Sequence, residues 1–395
     1  MKVVHISTYP RGGAANAALR FHNGLLQLGV DSKVLCRDEG NKEQKIYSYG
    51  TSINFRRIST IYKNLKILPH FYMEDDQCEG FSSPLSLYKL EKHPIVVEAD
   101  IVILHWVANF INYPSFFKNI NKKVIWYLHD MNPFQGGFHY NEDHERFKKF
   151  NKVDQLFYNI KKKALNDTKL TVMAPSQWLL DLSKKSELLG RFNHKLARYG
   201  LSTEKVIIHD QIEVRKKFKL PLDHKVLLFV SERISNTRKG AMLLINALKK
   251  CDLQEKVSIL VVGDYDKDLF ESDHLHTVGR LHSVEEMAMA YSAADLFVLP
   301  SREDNLPNVM LESLYCGTPV MAFKDGGGMK EIIHDKNGKL IDDMNEEALA
   351  EALQQWIDQP FDFEREDIRA EAVTQFEEKQ QALKLKEELE KIMSL

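Results

Sequence analysis

The sequence predicts an α/β protein of two domains, each an open parallel sheet with helices on its faces. Three observations carry that prediction. The 395 residues exceed what one ordinary core covers and suit two. Short β-branched apolar runs alternate with helix-period segments, which is how consecutive βαβ units read. The alternation pauses in a polar stretch over residues 200–223, read as a linker, and then begins again.

In the first half the apolar runs place strands at 3–6, 32–36, 101–105, 124–128 and 170–174. The first leads through residues 7–13 into a helix over 14–28, closed by Gly29. The second half places strands at 225–230, 258–262, 296–299 and 319–322, with helices at 240–249, 283–292 and 308–315. From residue 363 the chain is rich in Glu, Lys, Gln, Leu and Ala and reads as helix. The resulting division is 1–205 for the first domain, 206–375 for the second, and a helix over 376–395 packing back towards the first.

Composition narrows the class. Hydrophobic residues at 44% and charged residues at 28% are ordinary for a globular protein. No apolar run reaches the roughly 18–20 residues of a membrane-spanning helix. Residues 2–6 read as a buried strand, not as part of a secretory leader. Cys36, Cys78, Cys251 and Cys316 lack CxxC spacing, which fits a reducing cytoplasm. Charge is uneven: residues 1–200 hold 29 Lys+Arg against 19 Asp+Glu, and residues 201–395 hold 25 against 37. A basic first half suits an anionic membrane face or a phosphorylated acceptor; attraction between the two halves explains it equally well. The basic amphipathic piece Phe55–Lys66 reads as a surface helix, or as one lying on a membrane.

Two segments carry chemistry. After the strand at 296–299 come Arg302, Glu303, Asp304, Asn305 and Leu306, and then a helix opening at Pro307, Asn308 and Val309. A strand's carboxyl edge facing a helix N-terminus is where an open α/β sheet binds anions. Asp304 before the helix and Glu312 two turns into it could share one extended ligand, since carboxylates accept from sugar and ribose hydroxyls. After the strand at 225–230, Arg233, Arg238 and Lys239 precede Gly240. A planar guanidinium and a point-charge ammonium together match a diphosphate.

These residues, in order with Val278-Gly279-Arg280-Leu281, Pro300-Ser301, the Asp304-x7-Glu312 pair and Cys316-Gly317-Thr318-Pro319, resemble glycosyltransferase family 4. Gly12-Gly13 and Trp126-Tyr127-Leu128-His129-Asp130 extend the resemblance into the first half. That family's fold is GT-B, two facing Rossmann-like domains with a cleft between them. The resemblance implies a retaining, metal-independent hexosyltransferase without a cofactor. It would move a sugar from a sugar nucleotide to a glycan or lipid-linked acceptor in cell-surface polysaccharide or lipopolysaccharide synthesis, in the cytoplasm or at the inner membrane face. Residue by residue, it implies Arg233 and Lys239 on the donor diphosphate, Glu312 on the ribose and Asp304 on the donor sugar. Arg280 and Leu281 would border the base. Glu303, Asn305, Leu306, Asn308 and Val309 would line the donor, Gly12 and Gly13 would approach its phosphates, and His129 would touch its sugar. Two residues depart from the pattern: Asp304 stands where Glu is usual, and Pro307, without an N–H, where Gly is common. Glu303 could substitute for the shorter carboxylate.

Other readings stay open. His129 with Asp130 is either a general-base pair or a positioned hydrogen-bonding residue. Gly136–Tyr140 reads as a flexible loop near the acceptor or as a packed one. A catalytically silent sugar-nucleotide-binding subunit, a phosphorylase or an epimerase would share the architecture. Asp264-Tyr265-Asp266 matches a metal-binding D-x-D but follows a strand deep in the second half, so no metal is expected. No aromatic-interleaved basic platform suggests nucleic acid.

Overall fold

A computed structural model describes residues 1–50, 80–231, 236–253, 256–264 and 272–394. Arg233, the amphipathic piece Phe55–Lys66 and Asp266 lie outside them. The chain divides into two compact units, Met1–Gly200 with Glu378–Leu395, and Leu201–Glu377.

The first unit contains β1 (Lys2–Ile6), β2 (Asp31–Cys36), β3 (Ile46–Ser48), β4 (Ile101–Leu104), β5 (Lys123–Tyr127), β6 (Thr171–Ala174) and β7 (Asn193–Leu196). They form one sheet in the order β3-β2-β1-β4-β5-β6-β7, every pair parallel. A parallel sheet is covered on both faces, so its central strands are apolar throughout. β4 shows this, with all four residues buried. The helix Gly13–Gln27 buries Ala17, Phe21, Gly24 and Leu25, one stripe at three- and four-residue spacing. It ends where Gly29 takes a φ of 76°. Against it lies the helix Glu378–Ser394, which buries Ala382, Leu385 and Leu389. A Cβ on Gly24 would stand 2.4 Å from that of Ala382, so the Ala382 methyl packs directly on the Gly24 backbone.

The second unit contains β8 (Lys225–Ser231), β9 (Val257–Gly263), β10 (Leu275–Gly279), β11 (Leu296–Leu299), β12 (Val320–Phe323) and β13 (Gly338–Ile341). Their order is β10-β9-β8-β11-β12-β13, again parallel throughout. Its core joins Leu227, Ile259, Val298 and Met321 to Leu353 and Trp356 of the helix Glu346–Asp358. Each such side chain contributes about 1.5–3 kcal/mol on burial.

One expectation is corrected. Residues 200–223 are not an open linker: the helix Gln211–Lys217 buries Val214 and Arg215, whose guanidinium donates to Ala293 O at 2.9 Å and to Asp295 at 2.6 Å. The polar composition hid an arginine that is internally paired. The helical tail divides at Glu377 (φ −63°, ψ 128°), so Arg365–Phe376 belongs to the second unit and Glu378–Ser394 to the first.

In each sheet the chain leaves one strand in opposite directions. β1 sits between β2 and β4, and β8 between β9 and β11. Such switch points open a crevice at the strands' carboxyl ends, where α/β sheets bind ligands.

Candidate functional site

In the second unit the loops after β8 and β11 meet at the switch point. Asn236 accepts from Arg238 N and starts a single tight turn over Thr237–Lys239. Gly240 follows with φ 72°, and a Cβ there would lie 1.8 Å from Pro300 O. Only glycine lets the two loops approach this closely. Arg302 N donates to Arg238 O at 2.8 Å, and the buried Arg238 guanidinium donates to Glu303 O at 2.6 Å. Lys239 Nζ donates to Asp304 Oδ2 at 2.7 Å, with Arg238 Nη1 3.5 Å from the same oxygen. Asp304 Oδ1 accepts from Asn305 N at 3.0 Å.

A third loop braces Asp304 from behind. Asp304 N donates to Gly326 O and Gly328 N to Asp304 O, at 2.8 and 3.1 Å. Gly327 (φ 124°) has no room for a side chain, because its Cβ would fall 1.8 Å from Asp304 O. Asp304, expected to face a sugar, is therefore 7% exposed and engaged through both carboxylate oxygens. Asn305 and Leu306 are buried, and Glu303 is half-buried. Asn308 and Val309 are half-buried in the first turn of the helix Asn308–Tyr315, and Tyr291 Oη donates to Glu312 Oε2 at 3.4 Å.

Arg280 and Leu281 follow β10 at the sheet edge, two strands from β8. Arg280 forms a bidentate pair with Asp264, 2.7 Å on the Nε side, and holds the Asp264 carboxyl below its ordinary range. That pair employs the first carboxylate of the D-x-D. Among the described residues no group of three His, Cys, Asp or Glu side chains is arranged to hold a metal ion.

In the first unit Gly12 (φ 96°) caps the helix Gly13–Gln27 at the carboxyl end of β1. Both glycines are exposed, and a Cβ on Gly12 would meet nothing within 4 Å. The neighbouring strand ends carry a cluster that the sequence does not announce. His5 Nδ1 lies 2.9 Å from His105 Nε2, and His105 Nδ1 lies 3.0 Å from His129 Nε2. The three histidines end adjacent strands, a relation visible only once the order β1-β4-β5 is known. Burial lowers all three pKa values, those of His5 and His105 well below 6.5 and that of His129 to about 4.

Asp130 is directed away from this chain. Its Oδ2 pairs with His139 Nδ1 at 2.5 Å and accepts from Trp106 Nε1 at 2.9 Å, while Oδ1 accepts from Asn132 N. Neighbouring His139, with which it shares a hydrogen bond, helps to hold its carboxyl below the ordinary range against the cost of burial. His139 Nε2 meets Ser82 Oγ at 2.7 Å, which completes the bonding order of a Ser–His–Asp triad. The adjacent N–H groups are engaged, however: Ser82 N donates to Gly137 O and Ser83 N to the Asn109 side chain. No oxyanion receptor is formed by them. The loop Gly136–Tyr140 is packed, with Phe138, His139 and Tyr140 buried. The buried Lys161 donates to the carbonyls of Asn132 and Gln135 beneath it. Trp106, Tyr113, Trp126, His129, Asp130 and His139 line a small pocket within this unit.

Two all-parallel Rossmann-like units with switch-point loops give this chain the GT-B fold. Residues 224–359 match the family Glycosyl transferases group 1. TuaC of Bacillus subtilis (strain 168), assigned to teichuronic acid biosynthesis, is 30% identical over 188 residues, 46% of this chain and 45% of that protein. A D-inositol 3-phosphate glycosyltransferase of Thermobispora bispora is 31% identical over 163 residues, 37% and 38% of the two chains. The chain thus spans less than half the length of these curated relatives. Over its whole length it superposes on sucrose-phosphate synthase from Thermosynechococcus elongatus with a TM-score of 0.73 at 17% identity, covering 100% of this chain and 99% of that one. Anabaena HepE in complex with UDP gives 0.68 at 16% identity, covering 99% and 100%.

Proposed function

We propose that this protein is a retaining glycosyltransferase that moves a sugar from a nucleoside-diphosphate donor to a glycan or lipid-linked acceptor. The observation that carries the reading is the meeting of Lys239 and Asp304 at the switch point of the unit that holds the matched domain. An arriving diphosphate competes with Asp304 for the Lys239 ammonium, which then stabilises the departing phosphate. Glu312 accepts from ribose hydroxyls, and the first turn of the helix Asn308–Tyr315 offers its dipole to the phosphates. Arg233 is assigned to the same diphosphate by resemblance. The leaving phosphate serves as the base, so the reaction uses no protein nucleophile, metal or cofactor.

TuaC and the lipopolysaccharide glycosyltransferase WaaG, a structural neighbour with a TM-score of 0.58 at 17% identity, suggest a cell-surface polysaccharide acceptor. Among the described residues no helix is long and apolar enough to cross a membrane. A cytoplasmic site of action, with the basic first half near the inner membrane face, completes the proposal. The test is a thermal-shift panel of nucleoside diphosphates and their sugars, followed by transfer assays with the one that binds. A rise in Tm with one nucleotide and a new glycoside are expected. If no sugar nucleotide binds and none is consumed, the reading fails; binding without transfer would favour a silent subunit.

A further inference from the structure

We infer that Lys161 and Asp154 are positioning residues, which grip the loop 132–138 from beneath with opposite charges and so hold Asp130 and the wall of the first unit's pocket in place. The helix Asn151–Leu165 buries Asp154, Phe157, Lys161 and Leu165, a single stripe at three- and four-residue spacing. Two of those four positions, where apolar side chains are the rule, carry a charge. Lys161 is completely buried, and Asp154 is 8% exposed. Burying a charge is costly unless it is paired or fully hydrogen-bonded, so the bonds these two make identify their role.

The hydrogen bonds of both go to one loop. An ammonium has three protons and no lone pair. Lys161 Nζ donates to Asn132 O at 2.5 Å, to Gln135 O at 3.1 Å and to Asn132 Oδ1 at 3.3 Å, one acceptor for each proton. Two turns earlier on the same stripe, Asp154 Oδ1 accepts from Gly137 N at 2.7 Å and from Phe138 N at 3.3 Å. The cation thus takes carbonyls at the start of the loop, and the carboxylate takes N–H groups at its end. Gly136 keeps the loop close to the helix, because a Cβ there would fall 2.1 Å from Asp154 O. Asn132 Nδ2 donates across the loop to Gly137 O and Phe138 O. Asn132 N donates to Asp130 Oδ1 at 3.0 Å, and Asp130 in turn holds Trp106 and His139. Asp130, Asn132, Pro133 and His139 all line the pocket, so a shift of the loop is a shift of its wall.

The ammonium form matches the three acceptors, and the surroundings leave it able to give up its proton. Burial lowers the Lys161 pKa to about 7, against the opposing pull of Asp130 and Asp154. The Tyr113 ring stands 5.2 Å from Nζ, and burial keeps its hydroxyl neutral, with a pKa well above 10. Two histidines are near: His139 bonds to Asp130, and His144 Nε2 lies 3.8 Å from Asp154 Oδ2. A neutral amine donates only two hydrogen bonds and turns a lone pair towards the third acceptor. The grip on the loop therefore weakens as pH rises through about 7. Its bearing on turnover rests on the proposed sugar transfer, whereas the grip itself does not.

NMR tests the grip without any substrate. In protein labelled at the lysine Cε, the signal missing from Lys161→Met is that of Lys161, and it should titrate with a midpoint of about 7. The Gly137 amide and the Trp106 indole N–H should move with the same midpoint, and in Lys161→Met both should lose that step. In transfer assays Lys161→Met should raise the acceptor KM about tenfold, the scale of one charged hydrogen bond, with nucleoside-diphosphate affinity unchanged. The wild-type kcat/KM for the acceptor should fall as pH rises through that midpoint, and Lys161→Arg, which keeps its charge, should stay level there. A Trp106 signal with the same pH course in wild type and Lys161→Met overturns the inference, as does an unaltered acceptor KM in an active Lys161→Met. If Lys161→Met fails to fold, Lys161→Arg supplies the comparison, and a Trp106 step that persists in it overturns the inference. If no donor supports turnover, the proposed function fails while the spectra judge the grip separately.

Discussion

Lys239 Nζ stands 2.7 Å from Asp304 Oδ2, so the cation suited to a diphosphate is held by the carboxylate expected to read the sugar. The pair is asymmetric. The Lys239 side chain is 38% exposed and that of Asp304 10%, so the lysine is the partner able to turn towards a ligand. Asp304 is fixed by three loops, and its second cation, Arg238, is enclosed.

Lys239→Ala should therefore abolish transfer without disturbing the fold. Calorimetry should show nucleoside-diphosphate affinity reduced by at least about tenfold, the scale of one lost charged contact. Thermal unfolding should remain within a few degrees of the wild type, because Lys239 is the solvent-reached partner and Asp304 keeps Arg238 and Asn305 N when it is removed, so the loss is about 1 kcal/mol. Unchanged turnover would contradict the phosphate role.

Asp304→Asn should behave in the opposite way, with a clear loss of stability. The amide still accepts from Asn305 N, but Arg238, 2% exposed, loses the negative charge 3.5 Å from its Nη1. Removing one partner of a buried ion pair costs about 3–5 kcal/mol, and the remaining bond from Arg238 to Glu303 O places this case at the lower end. Urea unfolding at neutral pH measures it. A loss below 1 kcal/mol would show that the carboxylate charge is not what holds Arg238.

The sheets were legible in the sequence to an uneven degree, and the pattern has a physical cause. The apolar runs mark β1, β2, β4, β5, β6, β8, β9, β11 and β12 to within a residue or two. The strands they do not mark, β3, β7, β10 and β13, are the four sheet edges. An edge strand is covered on fewer sides and carries polar residues such as Asn193, His194 and Lys195, so its apolar run disappears. The second-unit loops could be recognised because Lys239, Asp304 and Glu312 lie close along two short segments. The ion pairing of Asp304 could not, since it depends on Gly240 and Gly327 admitting three loops to one place. The histidine chain was hidden for a similar reason: residues 5, 105 and 129 become neighbours only through strand order.

Those histidines predict a stability profile on the acid side. A histidine with a folded-state pKa below its unfolded value of 6.5 binds its proton mainly in the unfolded chain. Its stabilisation is complete above pH 6.5 and is lost as pH falls towards the folded value, about 4 for His129 and well below 6.5 for His5 and His105. His129 alone contributes up to about 3 kcal/mol over that interval. Asp130, held below 3.8, loses its contribution only at lower pH, so the window from 6.5 to 4.5 reports the histidines. Denaturant unfolding should show stability falling across that window in the wild type and falling less steeply in His129→Gln. Equal slopes would show that His129 titrates normally.

The last prediction concerns the helix Glu378–Ser394, which follows the second unit in sequence but packs in the first. Its contact with the helix Gly13–Gln27 depends on Gly24, where an added Cβ would meet Ala382 Cβ at 2.4 Å and approach Glu378 O at 4.0 Å. Gly24 is helical, so alanine there gains about 1 kcal/mol of helix propensity. The crowding it introduces costs about 1–3 kcal/mol, because the Ala382 methyl is fixed directly to a packed helix and has no rotamer by which to move aside. Gly24→Ala should thus be neutral to destabilising, and Gly24→Val, with two further methyl groups and poorer helix propensity, clearly destabilising. Amide hydrogen exchange should then show faster exchange in Glu378–Ser394 while β8 and β11 keep their protection. The double variant Gly24→Ala with Ala382→Gly moves the methyl group from one helix to the other and should restore protection to that segment. If protection in Glu378–Ser394 is the same in all four proteins, the helix is held by its Leu385 and Leu389 contacts alone and the close approach at Gly24 carries no energy.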